Sequence, residues 1–191
     1  MMRNILGKLL SMAVLTIGVL ILIAPPAQAD GQCQCEPFSG TLYGWNTGDW
    51  HAVGDITIGN KVYHATLLVV NTSFIDNGDT WLGSETWTFN FGGGNTIQLM
   101  THFVGEHVSP TDAVYQTGIY HVIELGTFTN GTGVFKHAYG NLISPGPFGP
   151  GVKLPDNIKL PPEAQGTDVW FWVGPAQGMI CGISDRDEKR D

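Results

Sequence analysis

Apolar and polar residues alternate along short runs of this chain, and turn residues close each run. In 85–91 the odd positions Trp87, Phe89 and Phe91 are apolar, while Thr86, Thr88 and Asn90 are polar. A two-residue period sends successive side chains to opposite faces of a strand. Comparable runs occupy 38–45, 53–58, 62–70, 96–104, 117–125, 133–142, 169–173 and 179–183. Gly59-Asn60, Gly92-Gly93-Gly94-Asn95 and Thr129-Asn130-Gly131-Thr132 supply hairpin turns between them. No long segment after the N-terminal 29 residues repeats apolar positions at three and four spacing, and 26 Gly with 11 Pro punctuate the chain. The pattern predicts an all-β fold, a single antiparallel up-and-down β-barrel of about eight strands.

Two ends and one internal segment depart from that rhythm. Arg3 and Lys8 precede an apolar run over 9–24, and Ala27-Gln28-Ala29 has the small-x-small form of a cleavage site. The run is shorter than the roughly 20 residues of a bilayer span. Residues 1–29 therefore read as a cleaved signal peptide, 30–183 as the barrel domain and 184–191 as a charged tail. Segment 144–166 is rich in Pro and Gly and has no period of its own, which predicts a long loop.

Charge narrows the partners. All 17 acidic residues lie after position 29, whereas two of the nine basic residues leave with the leader. Such an acidic surface repels phosphate backbones and anionic lipid, so neither nucleic acid nor a membrane is expected as a partner once the leader is removed. A secreted location, periplasmic or extracellular, also suits the three cysteines Cys33, Cys35 and Cys181. A disulfide from Cys33 or Cys35 to Cys181 would close nearly the whole domain. The spacing lacks the two-plus-two arrangement of structural zinc, and no cofactor is expected.

The stretch Gly131-Thr132-Gly133-Val134-Phe135-Lys136-His137-Ala138-Tyr139-Gly140 resembles the GTG-x-F-x-x-A-x-G signature of the allene oxide cyclase barrel and of dirigent-like secreted β-barrels. Trp87-Thr88-Phe89-Asn90-Phe91-Gly92-Gly93-Gly94 is similar to the preceding hairpin of small bacterial members. The resemblance implies an antiparallel barrel with an apolar interior and a small-molecule cavity. No catalytic motif of the plant members matches this chain residue by residue.

Strand parity then selects candidate site residues. Glu85 heads the inward row of Trp87, Phe89 and Phe91. In 117–125 the odd row Ile119, His121, Ile123 and Leu125 reads as inward, which would bury His121. With Lys136 outside, Phe135, His137 and Tyr139 read as inward. Glu85, His121 and His137 are thus the candidate acid-base groups, and Trp87, Phe89, Phe135 and Tyr139 the candidate ligand-binding residues. The same trio has the composition of a two-His, one-carboxylate metal site; the plainer alternative is three separately satisfied polar residues. No G-x-S-x-G elbow or phosphate-binding loop is present, which argues against covalent hydrolysis.

Three functions follow, in order of preference. The first is a secreted barrel binding a small apolar or aromatic molecule in its lumen, with 144–166 over one mouth. The second is an enzyme of cyclase or isomerase type using the Glu and His groups. The third is a non-catalytic envelope-interaction protein with aromatic residues on its outside.

Overall fold

A computed structural model describes residues 34–78, 80–107, 119–166 and 169–184. The expected signal peptide, Cys33 and the charged tail from 185 onward lie outside the described residues. The unit Gln34–Asp191 holds one closed barrel of eight antiparallel strands in sequence order. These are β1 (Cys35–Asn46), β2 (Trp50–Ile58), β3 (Lys61–Asp76), β4 (Thr80–Asn90), β5 (Thr96–His107), β6 (Tyr120–Gly131), β7 (Tyr139–Gly149) and β8 (Phe171–Cys181). The strand β8 returns to pair with β1 from Cys35↔Cys181 to Trp45↔Phe171, so no edge is left open. A Cys35–Cys181 disulfide joins the two strands at the start of that seam.

The turns work as their residues demand. Gly59 and Asn60 connect β2 to β3 in a two-residue hairpin, with Ile58 paired to Lys61 and Gly59 at φ 60°. A right-handed twist between the flanking strands needs positive φ there, and glycine adopts it without steric cost.

One side of every strand fills the interior. The buried rows include Phe38 and Leu42 of β1, Ile56 and Ile58 of β2, Leu67 and Val69 of β3, and Trp87 and Phe89 of β4. Leu99 and Phe103 of β5, Tyr120 and Val122 of β6, Leu142 of β7, and Trp172 and Ile180 of β8 complete the ring.

The two runs expected at 169–173 and 179–183 are parts of one strand. Across Pro175 the pairing of β8 with β7 lapses between Ile143↔Gln177 and Phe148↔Trp172, while its pairing with β1 continues. A proline has no N–H to give a ladder, and β7 adds Pro145 and Pro147 on the facing side. The Ser144 hydroxyl donates to the Pro175 carbonyl at 2.7 Å and satisfies it inside the gap.

The stretch expected as one strand over 133–142 is also divided. Strand β6 continues through Gly131, a short 3-10 turn covers Gly133–Phe135, and β7 starts at Tyr139. Thr132 fixes this corner: its hydroxyl donates to the Gly94 carbonyl at 2.6 Å and accepts from the Thr96 N–H at 3.1 Å. Gly133 has φ 62°, and a Cβ there would collide with the Asn95 side-chain oxygen, which receives the Val134 N–H at 3.0 Å. The turn drives Phe135 into the barrel, where it is fully buried beside Phe91 and Tyr63.

Segment 144–166 is corrected in two respects. Its first residues belong to β7, and the remainder docks on the outer wall instead of covering an opening. Leu160, Ala164 and Val169 pack with Trp45, Val53 and Phe171, residues that point away from the lumen. Outward apolar side chains also occur on the opposite wall. Ile75, Leu82, Val104 and Ile123 are paired in sequence across β3, β4, β5 and β6, and all four are exposed.

Candidate functional site: an aromatic mouth around two carboxyl groups

The two ends of the barrel differ. The end holding the disulfide is plugged by Phe38, Phe89, Phe128 and Phe135, whereas the other encloses a cavity of about 440 Å³. Ligand pockets commonly measure about 300–1,000 Å³. The cavity is walled by Trp50, Trp81, Trp87, Trp170, Trp172 and Phe148, with Ala52, Val69, Phe74, Phe103 and Val122 between them. Its polar lining consists of Asn46, His51, Asn71, Asp76, Glu85 and Glu124.

Local sequence places each of these groups. The regular alternation of β4 carries Trp81, Glu85 and Trp87 inward. In β3 a bulge intervenes: Asn71 pairs with Glu85 and Ser73 with Ser84, so Thr72 is the extra residue. The Thr72 hydroxyl donates to the Ser84 carbonyl at 2.8 Å. The extra residue switches the inward row of β3 from Val69 and Asn71 to Phe74 and Asp76, and both of the latter line the mouth. The rings pack edge-on and face-on about the opening, with Trp81 4.4 Å from Tyr120 and Tyr120 stacked on Trp170 at 5.5 Å.

Two carboxyl groups stand inside this aromatic wall. Glu85 is 7% exposed and Glu124 8%. The Trp87 Nε1–H donates to Glu85 Oε2 at 3.0 Å, a contact that the two-residue spacing on one strand face makes possible. The two carboxyls hydrogen-bond to each other. Burial raises the pKa of Glu85, partly offset by the hydrogen bonds from Trp87 and Glu124. Burial pushes Glu124 well above the usual carboxylate range, and the neighbouring Glu85 charge and hydrogen bond push it further. Two adjacent carboxylates in a poorly solvated site resist double ionisation, so the pair holds a proton between its members. Glu124 Oε2 is buried and has no hydrogen-bond partner among the described residues, and the same is true of Trp172 Nε1.

The candidate residues divide sharply. Glu85, Trp87, Phe89 and Phe135 face the interior, and Glu85 and Trp87 border the cavity. Phe89 and Phe135 are fully buried at the plugged end. His121 faces solvent, because the inward row of β6 is Tyr120, Val122, Glu124, Gly126 and Phe128. His137 and Tyr139 are also exposed, since the turn before β7 breaks the alternation assumed for 133–142. The Glu–His trio therefore does not converge, and the carboxyl group that meets Glu85 at the cavity is that of Glu124. Sequence reasoning missed Glu124 because Ile119, just before β6, and the outward Ile123 and Leu125 are more uniformly aliphatic than the inward side chains. The usable signal was aromatic content, since Tyr120 and Phe128 share the parity of Glu124.

His51 of β2 also borders the cavity and stacks on Trp45 at 6.2 Å. Of the two cysteines offered as partners for Cys181, Cys35 forms the bridge. Among the described residues no three His, Cys, Asp or Glu side chains cluster closely enough to hold a metal ion, and no helix is long and apolar enough to cross a membrane. Comparison with family models, with curated proteins and with solved structures returns no match for this chain.

Proposed function

We propose that this protein is a secreted barrel that binds a small apolar or aromatic molecule in its lumen. The observation that carries this reading is the cavity of about 440 Å³ that five tryptophans wall among the described residues. Indole rings supply large apolar contact areas at little conformational cost. The leader-like N-terminus and the Cys35–Cys181 disulfide support an oxidising, extracytoplasmic location. The resemblance of 131–140 to allene oxide cyclase and dirigent-like barrels belongs to the same proposal. Its glycines and Phe135 have clear structural work in closing the barrel floor.

Native mass spectrometry of the mature secreted protein tests the reading. The expected spectrum contains a co-purified small molecule that is lost on denaturation, or a ligand-free protein that takes up a neutral naphthalene probe. Protein that carries nothing and takes up no such probe would remove the proposal. The carboxyl pair supports a second reading, acid-base catalysis of cyclase or isomerase type, with Glu124 as proton donor and Glu85 as acceptor. Conversion of a bound ligand, abolished by Glu124→Gln, separates that reading from simple binding.

A further inference from the structure

We propose that the occupant of this lumen is an organic monocation: a protonated amine on a flat apolar body, its N–H groups received by Glu85 and Glu124. The inference rests on the lumenal-binding reading and names the ligand class for that site.

Four observations converge on it. Among the described residues, the cavity lining contains two buried carboxyls and Asp76 but no Lys or Arg. One Glu85 oxygen already accepts from Trp87, whereas Glu124 Oε2 is buried without a donor. A buried acceptor left unpaired is costly, and an ammonium N–H beside it removes that cost. The surrounding wall is indole, whose electron-rich face attracts a cation most strongly of the aromatic side chains. Finally, the chain after its leader is strongly acidic, which draws cations toward it and repels anions.

The competing ligand classes fit less well. A carboxylate ligand would bring further negative charge to a buried pair that already resists double ionisation. A wholly apolar ligand would displace water from the carboxyl pair and leave Glu124 Oε2 unpaired. An ammonium instead donates N–H groups to the pair and offsets the negative charge it carries. Trp172 Nε1 adds one donor at the wall, which an ether or hydroxyl oxygen on the ligand body satisfies without adding charge.

The site also predicts the direction of the pH effect. The titratable groups lining it are Glu85 of β4, Glu124 of β6, Asp76 of β3 and His51 of β2. Protonation of the remaining carboxylate removes the countercharge, so amine affinity falls as pH is lowered.

Isothermal titration with three probes of one shape tests the proposal: 2-naphthylmethylamine, 2-naphthalenemethanol and 2-naphthoate. The expected order at neutral pH is amine tighter than alcohol by about tenfold or more, with the carboxylate weakest, as for one charge-assisted hydrogen bond gained. In the Glu85→Gln, Glu124→Gln double variant, amine and alcohol affinities should converge. Should that variant not fold, the amine-to-alcohol ratio in the unaltered protein decides by itself. A Val122→Trp variant fills the lumen and should abolish binding of every probe. If Val122→Trp blocks binding but the alcohol or carboxylate binds as tightly as the amine, the cation inference is overturned and lumenal binding stands. If Val122→Trp folds and leaves binding intact, or no probe binds, both fall.

Discussion

At the floor of this barrel Phe135 is fully buried against Phe91, 5.0 Å away between ring centres, and against Tyr63 at 5.9 Å. At the mouth, among the described residues, rings of equal or larger size line a cavity. Aromatic content alone does not distinguish the two regions. What differs among the described residues is the closure beyond the strands. The Gly131–Ala138 corner turns inward at the floor and inserts a side chain, held there by Thr132 and Asn95. At the mouth, segment 150–166 docks on the outer wall and inserts nothing. The floor is therefore packed for stability. The mouth keeps a cavity and two carboxyl groups whose interactions are only half satisfied. Sites of function characteristically retain such local conflicts within an otherwise consistent fold.

Three predictions bear on this contrast, the first with the largest effect. The Cys35–Cys181 bridge spans 146 residues at the floor, where it closes β1 on β8. Replacing both cysteines by serine should cost about 5 kcal/mol by the chain-entropy estimate. Urea unfolding with and without the bridge measures this; a loss below about 1 kcal/mol would show that strand pairing alone secures the floor.

Next, Phe135→Ala at the floor should cost about 3–5 kcal/mol, the usual range for emptying a filled aromatic site. Trp170→Ala at the mouth should cost less, roughly 1–2 kcal/mol, because that partly exposed ring already borders a void. Probe affinity should change in the opposite order, with Trp170→Ala weakening it more. Equal stability losses for the two variants would erase the distinction between packed floor and open mouth.

The smallest effect concerns pH. Glu85 and Glu124 both have folded-state pKa values above their unfolded values, so between those values the folded protein binds more protons. Stability then falls as pH rises through that window, which begins at the ordinary carboxyl value of 4.5. Glu124→Gln should flatten the fall and raise the melting temperature at pH 8 relative to the unaltered protein. A variant that keeps the full pH dependence would show that the pair is not its source.

Much of this architecture was legible from residue order. The alternation in β4 is unambiguous, and it placed Glu85, Trp87 and Phe89 inside correctly. Gly59-Asn60 and the Gly92–Asn95 loop marked their hairpins because positive φ strongly favours glycine, observed at Gly59 and at Gly92, Gly93 and Gly94. Strand β6 was misread because both its faces are apolar. Its outer residue Ile123 continues an exposed aliphatic row through Val104, Leu82 and Ile75, while its inner face carries a carboxyl group. Ranking faces by hydrophobicity then selects the wrong one. The division of 133–142 was hidden for a different reason: the corner depends on Thr132 and Val134 meeting Gly94 and Asn95, nearly 40 residues away in the chain.

The order of residues by itself determined an antiparallel meander of about eight strands, because two-residue periodicity and glycine turns are local properties set by backbone sterics. It also limited the bridge to Cys181 and one of two neighbouring cysteines. Barrel closure decided which of those cysteines pairs with Cys181 and which face of β6 looks inward. It also put Glu124 beside Glu85, although the two lie on strands that are not hydrogen-bonded neighbours. That meeting is a consequence of wrapping a sheet around a common axis, where inward side chains from separate strands share one small, poorly solvated space.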